Sequence, residues 1–284
     1  MSLTSAPTEE AVAGAPAPVA PGRAARRGPR LGVNPRGFAF ALGLLVVIEL
    51  LTATLVTSAY VPRPSEVGSA LLSEIGEGDI LSGLGDTLWA YLQGLGIAAG
   101  LGVILGAALG ASNVAYQTFR VVIEFLRPLP SVALIPFSIL LLGVGSTTTV
   151  AMIAYASFWP ILFNTYYGVR GVHATSVETA RSFGVGGLGV FFRVQIPSAA
   201  TSVAAGVRIS ASIALILVIT VEMLTRSGGL GHYIVRMQVA IRTEEMYAGI
   251  FLVGLIGYLI SLVVGHLERR VVFWNVDSRE DGGR

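Results

Sequence analysis

Residues 177–199 read VETARSFGVGGLGVFFRVQIPSA. One glutamate, two arginines, four glycines and a late proline stand here between apolar stretches long enough for lipid. The rest of the chain explains why this is an interruption and not an ordinary surface loop. Of 284 residues, 53% are hydrophobic and 13% charged, and the mean hydropathy is +0.72. Soluble domains carry about 25% charged residues, and a helix that crosses hydrocarbon needs about 20 mostly apolar ones. The composition therefore gives an all-α integral membrane protein, with residues 177–199 as a polar segment held outside the lipid.

Two absences narrow the chemistry. There is no cysteine, which excludes disulfides, thiolate metal sites and cysteine nucleophiles. All 19 basic residues are arginine, so the lysine of a G-x-x-x-x-G-K-[ST] phosphate loop is missing. If ATP drives this protein, another polypeptide holds it. The histidines, His173, His232 and His266, are far apart and in no metal-binding spacing, and no G-x-S-x-G nucleophile elbow occurs. The chain thus offers no catalytic site and no metal site. Its arginines are spread between apolar runs, which suits a membrane protein and not nucleic-acid binding.

Six apolar runs can be counted. The first covers 37–59 with Glu49 inside it, and the second lies near 87–111. Arg127 to Arg170 encloses 42 uncharged residues, which GVGSTTT at 143–149 divides. The third span then covers about 128–143 and, because of Pro128, Pro130 and Pro136, begins earlier, near Val121; the fourth lies near 149–168. The fifth is near 200–223 and the sixth near 246–266. Residues 1–36, rich in Arg, Pro and Ala without apolar period, read as a disordered tail. A run of 37–59 exceeds the roughly 7–15 residues of a signal-peptide core. The expected organisation is a tail at 1–36, a six-helix body at 37–270 with its polar loop at 172–199, and a second tail at 271–284.

With six spans both termini share a side, and the tails and loops on that side hold 14 of the 19 arginines. The positive-inside rule puts both termini in the cytoplasm. The loop at 224–245, with Arg226, Arg236 and Arg242, fits this least, and its YIVRMQVAIR reads as a short surface helix.

Locally, Thr175-x-x-Glu178 reads as a capping box that starts a short amphipathic helix over ETARSF. The glycines that follow end it, and Pro197 restarts the chain as the first turn of the fifth span. The same segment resembles the EAA loop of permease subunits of bacterial ABC importers of the MetI-like type I family. That pattern is E-A-A, three residues, G, nine residues, I-x-L-P; here stand Glu178, Thr179, Ala180, then Gly184, then Val194-x-Ile196-Pro197. VPRPSEV (61–67), LRPLPSVALIPFSILLLGVG (126–145), FWPILFNTYYGVRGV (158–172), GVRISAS (206–212), VEML (221–224) and SGGLGHYI (227–234) resemble the nitrate, taurine and alkanesulfonate branch.

The resemblance implies a homodimer of permeases in the bacterial cytoplasmic membrane, two ATPase subunits carrying ATP and Mg, and an extracytoplasmic substrate-binding protein. A cytoplasmic coupling helix between the fourth and fifth spans would dock on the ATPase and tilt the spans when ATP closes it. Carried over by motif, Glu178 would pair with a basic group on the ATPase, Ala180 would allow close approach and Gly184 would make the bend; Thr179 and Arg181 share that surface. The substrate would be a small anion such as a sulfonate, taurine or nitrate. Glu49, Arg208 and Glu222 lie inside spans and are candidates for the translocation pathway. Arg208 also reads as snorkelling to the surface, and Glu124 as a helix residue beside Arg120 and Arg127. Proton-coupled secondary transport through Glu49 and Glu222 is the alternative. Gly96, Gly100, Gly102, Gly106 and Gly110 suit close helix packing, within one subunit or between two. Trp89, Trp159 and Trp274 suit the interfacial aromatic belt.

Overall fold

In the computed structural model, residues 35–54 and 60–272 are described. The predicted tails lie almost wholly outside them, as does Trp274. The contacts divide the chain into residues 1–44 and 45–284. The cut falls inside α1 (Pro35–Thr54), an apolar helix at the place of the first expected span whose apolar part, Ala39–Thr54, is shorter than the helices able to cross a membrane alone.

Among its described residues the second unit consists of helices joined by short turns, with no strand. After α1 come α2 (Pro64–Glu77), α3 (Asp79–Ala111), α4 (Asn113–Leu126), a short 3-10 turn (Ser131–Leu134), α5 (Ile135–Leu142) and α6 (Ser146–Arg170). Then follow α7 (Ala174–Ser182), α8 (Gly187–Val190), a π-turn (Phe191–Gln195), α9 (Ile196–Thr225), α10 (Gly229–Val239) and α11 (Thr243–Val271). Among the described residues four segments are long and apolar enough to cross a membrane alone: α3, α6, the continuous run Gly187–Thr225, and α11. The third expected span corresponds to a sharply bent pair of helices. It consists of α4 and residues 131–142, bent by 82° at LRPLP. Pro128 and Pro130 withhold the backbone donors that would carry α4 onward, so the helix ends although Arg127 itself keeps helical backbone angles.

The central helix is α6, packed by α3 on one side and α9 on another. Small residues permit this. A Cβ on Gly106 would meet the Leu162 carbonyl at 2.6 Å and Thr165 Cβ at 2.7 Å, and one on Gly102 would meet Ile161 at 2.9 Å. Packing inside the subunit is therefore what Gly102, Gly106 and Gly110 serve, whereas Gly96 and Gly100 have nothing within 4 Å. Polar groups add directional ties. Ser210 Oγ donates to the Ser157 carbonyl at 2.6 Å, and Tyr91 Oη donates to the Ala211 carbonyl at 3.3 Å.

Two expectations need correction. The helix at 229–239 is no surface helix. Leu230, Tyr233, Ile234 and Met237, at one-face spacing, are buried with Ile80, Leu252 and Ile256, and α10 packs against α3, α9 and α11. Its length misleads because one polar face with Arg236 remains exposed. Trp159 is not at an interface either. It adjoins Phe158, the middle residue of the 25-residue α6, so it lies about 18 Å from either end at 1.5 Å per residue. Trp89, on α3, is exposed.

Candidate functional site

The polar loop builds its helix differently from the capping-box reading. α7 begins at Ala174 with His173 in the cap position and no side-chain cap bond. Thr175 is already inside the first turn, with helical backbone, so its hydroxyl cannot serve as the cap. The other end matches expectation. Gly184 has φ +78°, its N–H donates to the Arg181 carbonyl (2.9 Å), and the Val185 N–H donates to the Ala180 carbonyl (3.1 Å). This pair of bonds is the Schellman motif, which glycine completes without a Cβ penalty. A sharp turn therefore follows Ser182.

All of α7 is unburied: Glu178, Thr179 and Arg181 are exposed and Ala180 half-buried. Glu178 and Arg181 form no side-chain bond with each other or with any described residue. Phe183 (84% exposed), Leu188 (78%) and Phe192 (65%) leave a run of large apolar side chains open beside them. Arg181 also lines a cleft of about 690 Å³ between α8, the π-turn and the end of α3. Four of the five predicted residues thus lie on this uncovered helix, and Gly184 makes the turn just past its end.

Beyond the turn, the fifth span does not start at Pro197. Helix resumes at Gly187 and runs for 39 residues to Thr225. Pro197 cannot donate to the residue four positions back. The π-turn just before it, closed by the Ile196 N–H on the Phe191 carbonyl, widens the helix so that the chain continues unbroken. One rod thus joins α7 to the far end of the bundle.

The intramembrane ions are tied to specific partners. Glu222 is buried, 3% exposed, and accepts hydrogen bonds from Thr87 Oγ1 (2.9 Å) and the Gly231 N–H (2.9 Å); Thr87 Oγ1 in turn accepts from the Leu230 N–H (2.8 Å). The carboxylate thereby satisfies the exposed amides that start α10 and pins them to α3 and α9. Gly229, at φ +84°, has no room for a Cβ against that carboxylate. This knot explains the glycines of SGGLG. Glu49 accepts from the Ser65 N–H (3.0 Å) and Oγ (2.7 Å) at the start of α2. Arg208 pairs with Glu268 near the end of α11.

Two of the three arginines that fit the orientation rule least are also paired. Arg236 meets Asp79, and Arg242 bridges Glu74 (3.1 Å) on α2 and Glu245 (2.8 Å) on α11. The hydrogen bonds it donates to Glu245, with the nearby Glu74 charge, push the Arg242 guanidinium above its usual pKa. Local carboxylates hold these arginines where they are.

Sequence reasoning missed one residue. Arg127 reads as a loop arginine beside Glu124, yet Glu124 pairs with Arg120 at 2.7 Å, and Arg127 lies 4.3 Å from the centre of the Phe163 ring. Tyr155 Oη donates to the Leu126 carbonyl at 2.9 Å. These contacts set the break of the third span opposite the middle of α6. The signal was present in the prolines around Arg127, which mark a break; its depth was not.

The model of the family described as "Binding-protein-dependent transport system inner membrane component" matches residues 98–273, more than half of the chain. The protein belongs to this family. It is 29% identical over 235 residues to an Escherichia coli (strain K12) protein named as an aliphatic sulfonates transport permease, covering 82% of this chain and 89% of the relative. With the taurine transport system permease protein of the same organism it shares 26% over 253 residues, covering 84% and 91%. With the nitrate import permease protein of Leptolyngbya laminosa it shares 28% over 176 residues, covering 62% and 63%. An inward-facing structure of the MetNI methionine ABC transporter has the same fold at a TM-score of 0.54, with 17% identity, over 65% of this chain and 94% of that chain. The protein is therefore a MetI-like, multi-pass permease subunit of an ABC importer, similar to the sulfonate, taurine and nitrate permeases. Its function presupposes an ATPase subunit and a substrate-binding protein. Family membership sets aside the proton-coupled alternative.

Proposed function

We propose that this permease couples ATP hydrolysis on a partner ATPase to alternating-access uptake of a small anion, and that α7 is the coupling helix. The observation that carries this reading is the joint at Gly184: an uncovered helix with unpaired Glu178 and Arg181, turned by a Schellman motif into a 39-residue helical rod. Force applied to α7 passes through the hydrogen-bonded turn at Gly184 into the rod and so to the opposite end of the bundle. The apolar Phe183, Leu188 and Phe192 supply area for docking. Two copies of the chain, spanning at 37–270, would work with two ATPase subunits that hold ATP and Mg, with both termini and the tails at 1–36 and 271–284 on the cytoplasmic side. Thr179 and Ala180 sit on the docking face, and Glu178 meets a basic group there. An extracytoplasmic binding protein delivers substrate, for which the relatives named for sulfonates, taurine and nitrate are the guide.

The test is a mild-detergent pull-down of the tagged chain from its native membrane, followed by ATPase and uptake assays. The wild type should retain an ATPase subunit. Glu178→Ala and Gly184→Trp should remain inserted but lose at least tenfold in binding-protein-stimulated ATP hydrolysis. Normal uptake by both variants would overturn the coupling assignment.

A further inference from the structure

Arg127 stands apart from the other charged residues in the spans. Glu49, Arg208 and Glu222 each hold a polar or charged partner. Among the described residues Arg127 has no carboxylate, and it is held only by the face of the Phe163 ring. It is also exposed on the single subunit, opposite the middle of a helix that crosses the membrane. An arginine at that depth is costly and almost always faces a bundle interior or a water-filled cavity. The face that carries Arg127 is therefore turned from lipid, toward the pathway.

A cleft of about 500 Å³ opens beside it, within the range of small-molecule sites. Its walls are Tyr155, Trp159, Phe163, Asn164 and Tyr167, with Arg127 at one side. Tyr155 and Asn164 each use a donor on a backbone carbonyl, which fixes both side chains. Trp159 Nε1–H is buried without a hydrogen-bond partner among the described residues, so the residue offers the cleft its ring and not its N–H. One cation on one side and several aromatic faces on the other form an asymmetric environment. It matches an anionic head that takes charge-assisted bonds from a guanidinium, followed by a short apolar tail against rings.

Resting on the reading of the chain as an importer of small anions, we infer that this cleft is a mid-membrane binding site for an organic monoanion, a short-chain sulfonate. Arg127 binds the oxyanion and the aromatic walls take the alkyl part. Bare inorganic anions would leave those walls without a contact. The broken third span presents Arg127 at this depth, since a continuous helix would carry it past on a lipid-facing or packed surface.

The experiment uses the full chain in lipid vesicles with Trp89→Phe and Trp274→Phe, so that Trp159 is the sole fluorophore. Sodium butanesulfonate is titrated against sodium chloride of equal ionic strength. A saturable change specific to the sulfonate is expected, with half-saturation raised at least tenfold by Arg127→Gln and within about threefold of the parent for Arg127→Lys. A response equal to that of chloride, or one unmoved by Arg127→Gln, overturns the site. ATPase assays on the assembled complex separate the two claims. If Glu178→Ala uncouples hydrolysis while Arg127→Gln binds sulfonate normally, the coupling role stands and the binding site falls. If no ATPase assembles with the wild type, the importer reading itself falls.

Discussion

At Gly229 and Glu222 a few ångströms decide what the sequence tolerates. The carboxylate of Glu222 is buried yet satisfied, because Thr87 and the first amides of α10 all point to it. Gly229→Ala would add both a left-handed strain, about 1–2 kcal/mol, and a clash with the carboxylate that costs about 1–3 kcal/mol. The expected outcome is a clear loss of melting temperature in detergent, whereas Gly96→Ala, with open space around it, should be nearly silent. Thr87→Val keeps the shape but removes the donor to Glu222 and the acceptor for Leu230. Leaving such buried groups unpaired costs about 1–3 kcal/mol, so Thr87→Val should lower the melting temperature and Thr87→Ser should largely retain it. A glutamate near the end of an apolar run is visible in the sequence. That it fastens a helix start was not, because its partners lie 135 and 9 residues away.

At the scale of elements, spacing alone left two uses for the glycines of α3, and packing separates them. Gly102, Gly106 and Gly110 lie against α6, while Gly96 and Gly100 are uncovered. Gly106→Val should therefore reduce the yield of folded monomer in size-exclusion profiles, and Gly100→Val should leave the monomer intact. The coupling loop was the most legible element, since its turn is chemistry written locally: a glycine two residues after the helix end, at φ +78°. Its start was less so. Threonine three residues before glutamate satisfies the capping pattern, but the helix starts two residues earlier, with the His173 carbonyl accepting from the Ser176 N–H, and the pattern is overridden. Pro197 misled for a related reason, since a π-turn relieves it and no local rule announces that turn.

At the scale of the whole molecule, ion pairs join elements far apart in sequence at the α10 end. Arg242 links α2 to α11 through Glu74, whose side chain is only 3% exposed. Arg242→Gln strands that carboxylate. Because the arginine is half-exposed and its pairing is screened by solvent, the expected cost is about 1–3 kcal/mol rather than that of a fully buried pair. Thermal melts of Arg242→Gln, Glu74→Gln and the double variant should show the double to be less destabilised than the sum of the singles. Strict additivity would mean that the two helices do not depend on this bridge.

What the sequence determined by itself was whatever is set by composition and short-range pattern. Apolar runs of span length made it a membrane protein, the missing lysine placed any phosphate-loop ATP site on another chain, and the spacing from Glu178 to Pro197 carried the family. Those properties depend on transfer free energy per residue and on backbone geometry within a few positions. Only the tertiary structure decided where Arg127 and Trp159 lie, that α10 is buried, and that Glu49, Arg208 and Glu222 are tied to partners. Each of these depends on which helix faces meet, and that is settled by close packing of residues far apart along the chain.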